Sequence, residues 1–426
     1  MAGEVILIQT GQAGNQISSA FWKKVCEEHG INHTTGKPLD GTEVKGDPNV
    51  FFKNIAGKYV PRSVVVDLEP AVVEKLTQTF GTLFDPKCVV HGSDGAGNNY
   101  AVGMIEMGEQ HIDQVLSVVE SQVAETESLG GFMFAHSTGG GTGSGMGSLI
   151  LKRLREKYPK SPIFSFSIFP SPKISETVVE PYNSVLTAST LSKYSSAATV
   201  LDNEALFNIA VNKLGIASPN LSDLNDIISE VMVNITASLR FSGTLNVDLM
   251  KLVTNLVPYE QQNFMLASTA PLVSAEDRSY TKLSVQDLTQ QLFHQDNMLA
   301  ACDPTKGHYL AASVLFRGNI QSTEINEAIS KVKEQNTFVN WIPTGFKVAR
   351  SEEPPANMPV GVALLANNSA IGSVFSRILA SFDKLWSRKA FSHWYTDAGM
   401  EEKDLEEARN HIQGIVDFYK EKPEEN

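Results

Sequence analysis

The chain has 426 residues, with 35 Lys and Arg against 48 Asp and Glu, a formal charge of −13, and 42% hydrophobic residues. That length exceeds one ordinary domain, and the composition is that of a globular chain, which excludes disorder for most of it. The net acidity works against nucleic acid or an anionic membrane as partner, since both attract clustered cations.

The opening residues MAGEVILIQTG have no basic flank followed by a long apolar stretch, and nowhere do 18 uncharged apolar residues run together. The expectation is a soluble, cytoplasmic protein. Cys26, Cys88 and Cys302 are far apart and lack a Cys-x-x-Cys spacing, so they read as free thiols rather than a disulfide framework or a zinc site.

In chain order, apolar runs of strand length at Glu4–Gln9, Ser63–Asp67, Phe132–His136 and Ile163–Ile168 alternate with helical periodicity, as in Gln12–His29 and Met107–Val123. Strand, loop and helix in series predict a parallel sheet covered on both faces, with ligands beyond the carboxyl ends of its strands. From Asn220 to Leu239 the chain reads as a long buried connecting helix. After Gly243 strands mix with helices, at Phe264–Ser268, Tyr309–Phe316 and Gly361–Ala366, which predicts a second, smaller α+β domain. Two terminal helices from about Ser381 and a short acidic tail follow. The division is 1–203 for the ligand-binding domain, 204–240 for the connecting segment, 241–380 for the second domain and 381–426 for the terminal helices.

The strongest local signal runs from Gly130 to Pro159: an apolar strand, glycines at 139, 140, 141, 143, 145 and 147, then an amphipathic helix. Glycine allows positive φ and close backbone approach, so successive amides can surround an anion while the helix aims its positive end at it. The segment lacks the lysine of a Walker loop, and it fits poorly the G-x-G-x-x-G fingerprint of a nicotinamide enzyme. No Lys or Arg lies between Lys87 and Lys152. Phosphate charge would therefore be met by backbone amides, helix dipoles and a metal ion. Asp67 and Glu69 in a D-L-E-P turn offer oxygen ligands suited to Mg²⁺, although alone such a turn is more often an exposed loop. Two further glycine-bearing loops, Gln9–Asn15 and Ser93–Asn99, share the design. Three such loops on one face would hold a triphosphate with many neutral donors.

The motifs GQAGNQ (11–16), VDLEP (66–70), GAGNN (95–99), GGGTGSGMG (139–147), VVEPYN (178–183), DNEAL (202–206), TASLRF (236–241), LNVDL (245–249) and AFSHWYTDAGMEE (390–402) recur in this order in tubulins. The chain resembles a tubulin over nearly all of residues 1–420, within the wider GTPase family that includes FtsZ. The resemblance implies an α/β fold with a parallel-sheet, Rossmann-like GTPase domain, a long central helix, a smaller α+β domain and C-terminal helices. It implies GTP or GDP with Mg²⁺ as ligands and self-association head to tail.

By the same resemblance, Gln12, Asp67 and Glu69 would serve Mg²⁺ and the phosphate end, with Gly11, Ala13 and Gln16 beside them. Ser137, Gly139, Gly140, Gly141, Thr142 and Gly143 would form the phosphate loop, and Ala96, Gly97 and Asn98 would flank the γ-phosphate. Glu176 and Glu180 would meet the ribose, and Asn203 and Asn225 the guanine edge, which needs both a donor and an acceptor. Leu221 stands where tubulins commonly stack an aromatic on the base, and Glu176 where an aspartate is common.

Hydrolysis in the family is completed by the next subunit, whose loop here spans Gly243–Asn255. Asn246 and Asp248 are the groups expected to position water. Lys251 replaces the glutamate of alpha-type chains, as in beta-type ones, which leaves an alpha-like partner as the alternative to self-assembly. Ser351–Pro359 lacks the longer alpha-type insertion, and Tyr280 is the expected lateral anchor. The short tail points to a prokaryotic or archaeal member.

Overall fold

The computed structural model describes residues 3–171, 177–243, 248–274, 283–342, 345–356 and 358–421. Its strands are β1 (Glu4–Thr10), β2 (Phe52–Ile55), β3 (Lys58–Pro61), β4 (Ser63–Asp67), β5 (Val89–His91), β6 (Leu129–Ser137), β7 (Ile163–Phe169), β8 (Ala197–Asp202), β9 (Phe264–Ala270), β10 (Tyr309–Gly318), β11 (Phe346–Ser351) and β12 (Val360–Asn368). Its helices are α1 (Gly11–His29), α2 (Pro70–Phe80), α3 (Met107–Ala124), α4 (Gly147–Lys157), α5 (Glu180–Tyr194), α6 (Asn203–Asn212), α7 (Leu221–Arg240), α8 (Leu249–Leu256), α9 (Val285–Phe293), α10 (Ser322–Gln335), α11 (Gly372–Trp386), α12 (His393–Asp397) and α13 (Glu402–Glu421).

Ten strands form one sheet in the order β11-β10-β12-β9-β8-β7-β6-β1-β4-β5, while β2 and β3 form a separate hairpin. From β5 to β9 every pairing is parallel; β12 runs antiparallel to β9 and β10. The strands expected of the second, smaller domain continue the same sheet, through the Ala198–Phe264 and Thr199–Met265 pairs of β8 and β9. The first of the terminal helices, α11, begins at Gly372, earlier than the periodicity around Ser381 suggests.

Strand alternation divides the core between the two faces of the sheet. Ile6, Ile8, Val64, Val66, Phe132 and Phe134 point to the side covered by α3, α4, α5, α11 and α13. Val5, Leu7, Val65, Met133 and Ala135 point to the side covered by α1 and α7. Among the described residues, no helix is long and apolar enough to cross a membrane. The three cysteines are free, with Cys26 and Cys88 buried.

Helix α7 starts with a capping box, in which Asn220 and Asp223 exchange side-chain to backbone bonds. It packs on α1 with the two chains running in the same direction: Gln16 meets Asn225, Lys24 pairs with Glu230, and Glu28 pairs with Arg240. The Glu28 carboxylate also pairs with Arg317 of β10 at 2.8 Å. Burial would raise the Glu28 pKa, but the two guanidiniums outweigh it and hold the carboxyl below its usual range. This buried Arg-Glu-Arg cluster joins α1, α7 and the β10 part of the sheet at one point.

Candidate functional site

Because β4, β1 and β6 are neighbours in a parallel array, the loops leaving their carboxyl ends share one edge, together with the loop after β5. Two glycines let the first of these loops close onto the third. Gly11 has φ +73°, and a β-carbon on it would lie 2.8 Å from the amide nitrogen of Gly143. A β-carbon on Gly14 would lie 2.2 Å from the Ala135 carbonyl, so α1 presses directly on β6.

Two π-helical turns, Val102–Glu106 and Thr142–Met146, open α3 and α4. They meet through glycine: a β-carbon on Gly103 would strike the Gly141 carbonyl at 2.3 Å, and one on Gly145 the Tyr100 carbonyl at 2.2 Å. Part of the glycine-rich run thus serves packing between two helix starts, a role the sequence reading did not assign to it. Gly103, outside that run, is the partner it missed.

The acidic side of the site lies at the end of β4. Asp67 is 3% exposed; its Oδ1 accepts from the Glu69 amide at 3.4 Å, and its Oδ2 has no hydrogen-bond partner. Burial pushes its pKa up to about 6, against the backbone bonds from Glu69 and Leu68 and with the nearby Glu69 charge. Asn15 donates to the Gly11 and Val66 carbonyls, and its own Oδ1 is buried without a partner. Exposed Glu69 is the N-cap residue of α2, and its carboxylate lies against Gly95, where a β-carbon would come within 2.2 Å of Oε1. An orphaned, buried carboxylate oxygen beside a second carboxylate fits a hard divalent cation. Among the described residues no three His, Cys, Asp or Glu side chains converge, so water and ligand oxygens would complete its shell.

The remaining residues expected on the phosphate side are close together. Gly97 and Asn98 are both left-handed, with φ +53° and +54°. Ala96 is buried, and its β-carbon would lie 2.7 Å from one on Gly141. A β-carbon on Gly140 would lie 3.8 Å from Asn98 Oδ1, and one on Gly139 would lie 3.3 Å from Cγ of Glu180, the buried first residue of α5. Ser137 Oγ accepts from the Gly139 amide at 3.2 Å, and half-buried Thr142 opens the π turn before α4. Gln12 is exposed and Ala13 half-buried in the first turn of α1.

Two supports of these loops escaped the sequence reading. His136 is fully buried beneath the glycine-rich loop, with Nδ1 2.9 Å from the Gly143 carbonyl and Nε2 2.8 Å from Ser167 Oγ. The carbonyl requires Nδ1 to donate, and burial keeps the ring neutral. Burial holds its pKa down, at about 4, although the Gly143 bond acts upward. Asn183 donates to the Asn98 carbonyl at 2.8 Å and the Gly139 carbonyl at 2.7 Å. Its Oδ1 accepts from the Tyr100 amide and the Tyr395 hydroxyl. Asn183 lay within a quoted motif, but nothing in its spacing separates a loop brace from an ordinary helix residue.

At the other end of the cleft, Asn225 Nδ2 lies 3.5 Å from Gln16 Oε1, so the structure brings these two expected ligands together. Asn203 is the half-buried first residue of α6, preceded by Asp202, which caps that helix and pairs with Arg377. Leu221, the first residue of α7, is 47% exposed. Glu176, Asn246 and Tyr280 lie outside the described residues.

Asp248 and Lys251 follow, in sequence, the end of α7 opposite Asn225. The 20 residues of α7 span about 30 Å at 1.5 Å per residue, with Asn225 at its cleft end and Arg240 at the other. Asp248 follows that distant end, caps α8 by accepting from the Lys251 amide at 2.7 Å, and pairs with Lys251 Nζ at 3.4 Å.

Residues 4–211 match the Tubulin/FtsZ family, GTPase domain, and residues 261–380 match the Tubulin C-terminal domain. A tubulin beta chain from Cicer arietinum is 42% identical over 423 residues, covering 98% of this chain and 94% of that protein. A parallel sheet with glycine loops gathered at its carboxyl edge, a long helix leading away from them, and both matches in the family's order lead to one conclusion: the chain belongs to the tubulin family and carries its GTPase domain.

Proposed function

We propose that the protein binds GTP with Mg²⁺ at the carboxyl edge of the sheet, stacks head to tail into protofilaments, and hydrolyses GTP where one subunit's α8 end meets the next subunit's nucleotide. The observation that supports this reading is the separation of Asp248 from the glycine loops by the length of α7. A group needed for hydrolysis but placed at the far end of its own subunit can act only on a neighbour.

In this reading, amides of the loops at 11–13 and 139–143 cradle the β- and γ-phosphates, with the loop at 96–98 on the γ side. Asp67 and Glu69, with Gln12, hold Mg²⁺, which neutralises phosphate charge in a cleft whose loops carry no cation. Glu176 and Glu180 serve the ribose. Asn203 and Asn225 read the guanine edge, with Leu221 giving plain apolar contact in place of stacking. Asp248 and Asn246 of the incoming subunit orient the attacking water, and Tyr280 anchors lateral contacts. The domain boundaries at 203, 240 and 380 and a cytoplasmic, cytoskeletal setting belong to the same proposal.

A second reading is favoured by Lys251, paired with Asp248 where alpha-type chains have a carboxylate. The chain would then be a beta-like subunit that needs an alpha-like partner to complete hydrolysis, as the similarity to a tubulin beta chain suggests. Complementation tests both. Asp248→Asn leaves an intact pocket with a disabled loop, and Asp67→Asn a disabled pocket with an intact loop. Mixed filaments should recover turnover that neither variant has alone. Homopolymers of the parent that retain GTP until an alpha-like chain is added would support the second reading instead.

A further inference from the structure

Three hydrogen bonds tie the surroundings of the phosphate loops to the stretch that runs from the end of α11 into α12. Asn99, 7% exposed and adjacent to Gly97 and Asn98, donates its side-chain amide to the Trp394 carbonyl at 2.9 Å. Asn183 accepts from the Tyr395 hydroxyl at 2.6 Å. Tyr182 donates its hydroxyl to the Ala390 carbonyl at 2.9 Å.

The segment so held is strained. Lys389 and Phe391 have φ of +48° and +60°, a region that side chains other than glycine seldom adopt. The Ala390 carbonyl that Tyr182 holds lies between them. Trp394 is 45% exposed, with its indole 5.0 Å from the Phe391 ring.

At the other ends of these contacts, Asn99 lies on the loop at 93–99, and Asn183, in the first turn of α5, reaches two of the loops assigned to phosphate. Asn183 spends both amide hydrogens on the Asn98 and Gly139 carbonyls, and its oxygen takes the Tyr100 amide and the Tyr395 hydroxyl. Such a saturated amide has one workable orientation. If Asn98 or Gly139 shifts, the amide must follow or lose a bond, and Tyr395 is its next partner. Gly97 has open space over its α-carbon, with no atom within 4 Å of a β-carbon built there, so this loop has room to change.

We infer that Asn183 is a positioning residue for the phosphate loops and that, with Asn99, it transmits the phosphate state of the bound nucleotide to residues 389–395, where it is displayed at the exposed Trp394 indole. This rests on the reading of the cleft as a guanine-nucleotide site and adds a route by which its state reaches the C-terminal helices.

The test is tryptophan emission of the full chain, below its assembly concentration, saturated with GDP or with a non-hydrolysable GTP analogue. Emission should differ between the two, and Trp394→Phe, which keeps the backbone carbonyl, should abolish the difference. Asn183→Ala risks misfolding, so Tyr395→Phe is the sharper variant: it removes one oxygen and leaves the ring packed. It should still bind nucleotide, shrink the emission difference at least about twofold, and weaken the GTP analogue about fivefold relative to GDP, the equivalent of one hydrogen bond. A merely structural role would lower thermal stability and leave both nucleotide comparisons as in the parent. Equal Trp394 emission with both nucleotides demonstrably bound overturns the relay, as does a full difference in Tyr395→Phe. Failure of the parent to bind either nucleotide overturns the underlying functional reading, and the relay with it.

Discussion

Gly11 and Gly143 meet backbone to backbone, so closely that a β-carbon on the first would lie 2.8 Å from the amide nitrogen of the second. The first turn of α1 and the glycine-rich loop are thereby one surface. Gly11→Ala meets both this backbone clash and the penalty of a left-handed alanine, about 1–2 kcal/mol. Gly97→Ala meets only the second, because its surroundings are open. In urea denaturation of the nucleotide-free protein, Gly11→Ala should lose clearly more stability than Gly97→Ala. Equal losses would contradict the close approach.

Asp67 holds a charge in a buried place. At pH 7.5 and without metal, Asp67→Asn removes that burden and should stabilise the protein by up to about 3 kcal/mol, the equivalent of its upward pKa displacement to about 6. The same change should abolish the dependence of GTP affinity on Mg²⁺. Nucleotide titrations with and without the cation measure this, and an unchanged Mg²⁺ response in the variant would remove Asp67 from the metal site.

The neutral ring of His136 links stability to pH. Its folded pKa of about 4 lies below the ordinary value of 6.5, so the unfolded chain takes up the proton first. Its contribution is full above pH 6.5 and lost as pH falls toward 4, on the order of 3 kcal/mol. Asp67, with a raised pKa, acts in the opposite sense: its contribution is present below its ordinary 3.8 and is lost as pH rises through about 6. Comparing His136→Gln with the parent isolates the histidine. The variant should lose less stability between pH 6.5 and 4, and parallel curves would contradict this role.

Among the described residues, Glu28 is the anion that pairs with both Arg240 and Arg317 in the buried cluster. Replacing it by Ala leaves two guanidiniums buried without their shared partner and should cost about 3–5 kcal/mol in chemical denaturation. A loss under about 1 kcal/mol would show that water reaches the arginines.

How far the molecule could be read from its residues depends on the range of each interaction. The strands β1, β4, β6 and β7 are short apolar runs bounded by polar loops, and the glycine runs at their ends announce close backbone approach. Asn183 and His136 were not readable in this way. An asparagine in the first turn of a helix usually serves its own backbone, and a histidine in an apolar strand looks like core; their roles come from contacts with Gly139 and Gly143 that exist only once the strands are ordered. The joining of β8 to β9 was hidden for a similar reason. More than sixty residues separate Ala198 from Phe264, and no local pattern reveals a two-residue pairing across that distance. The π turns at Val102 and Thr142 depend on Gly103 and Gly145 meeting partners from the other loop.

Phosphate release per subunit across a protein concentration series shows whether one subunit's Asp248 completes the site of another. Low turnover at low concentration, a steep rise above an assembly threshold seen in parallel light scattering, and no such rise in Asp248→Asn, which still binds GTP, are expected. Turnover per subunit that is independent of concentration, or that survives Asp248→Asn unchanged, would contradict that role.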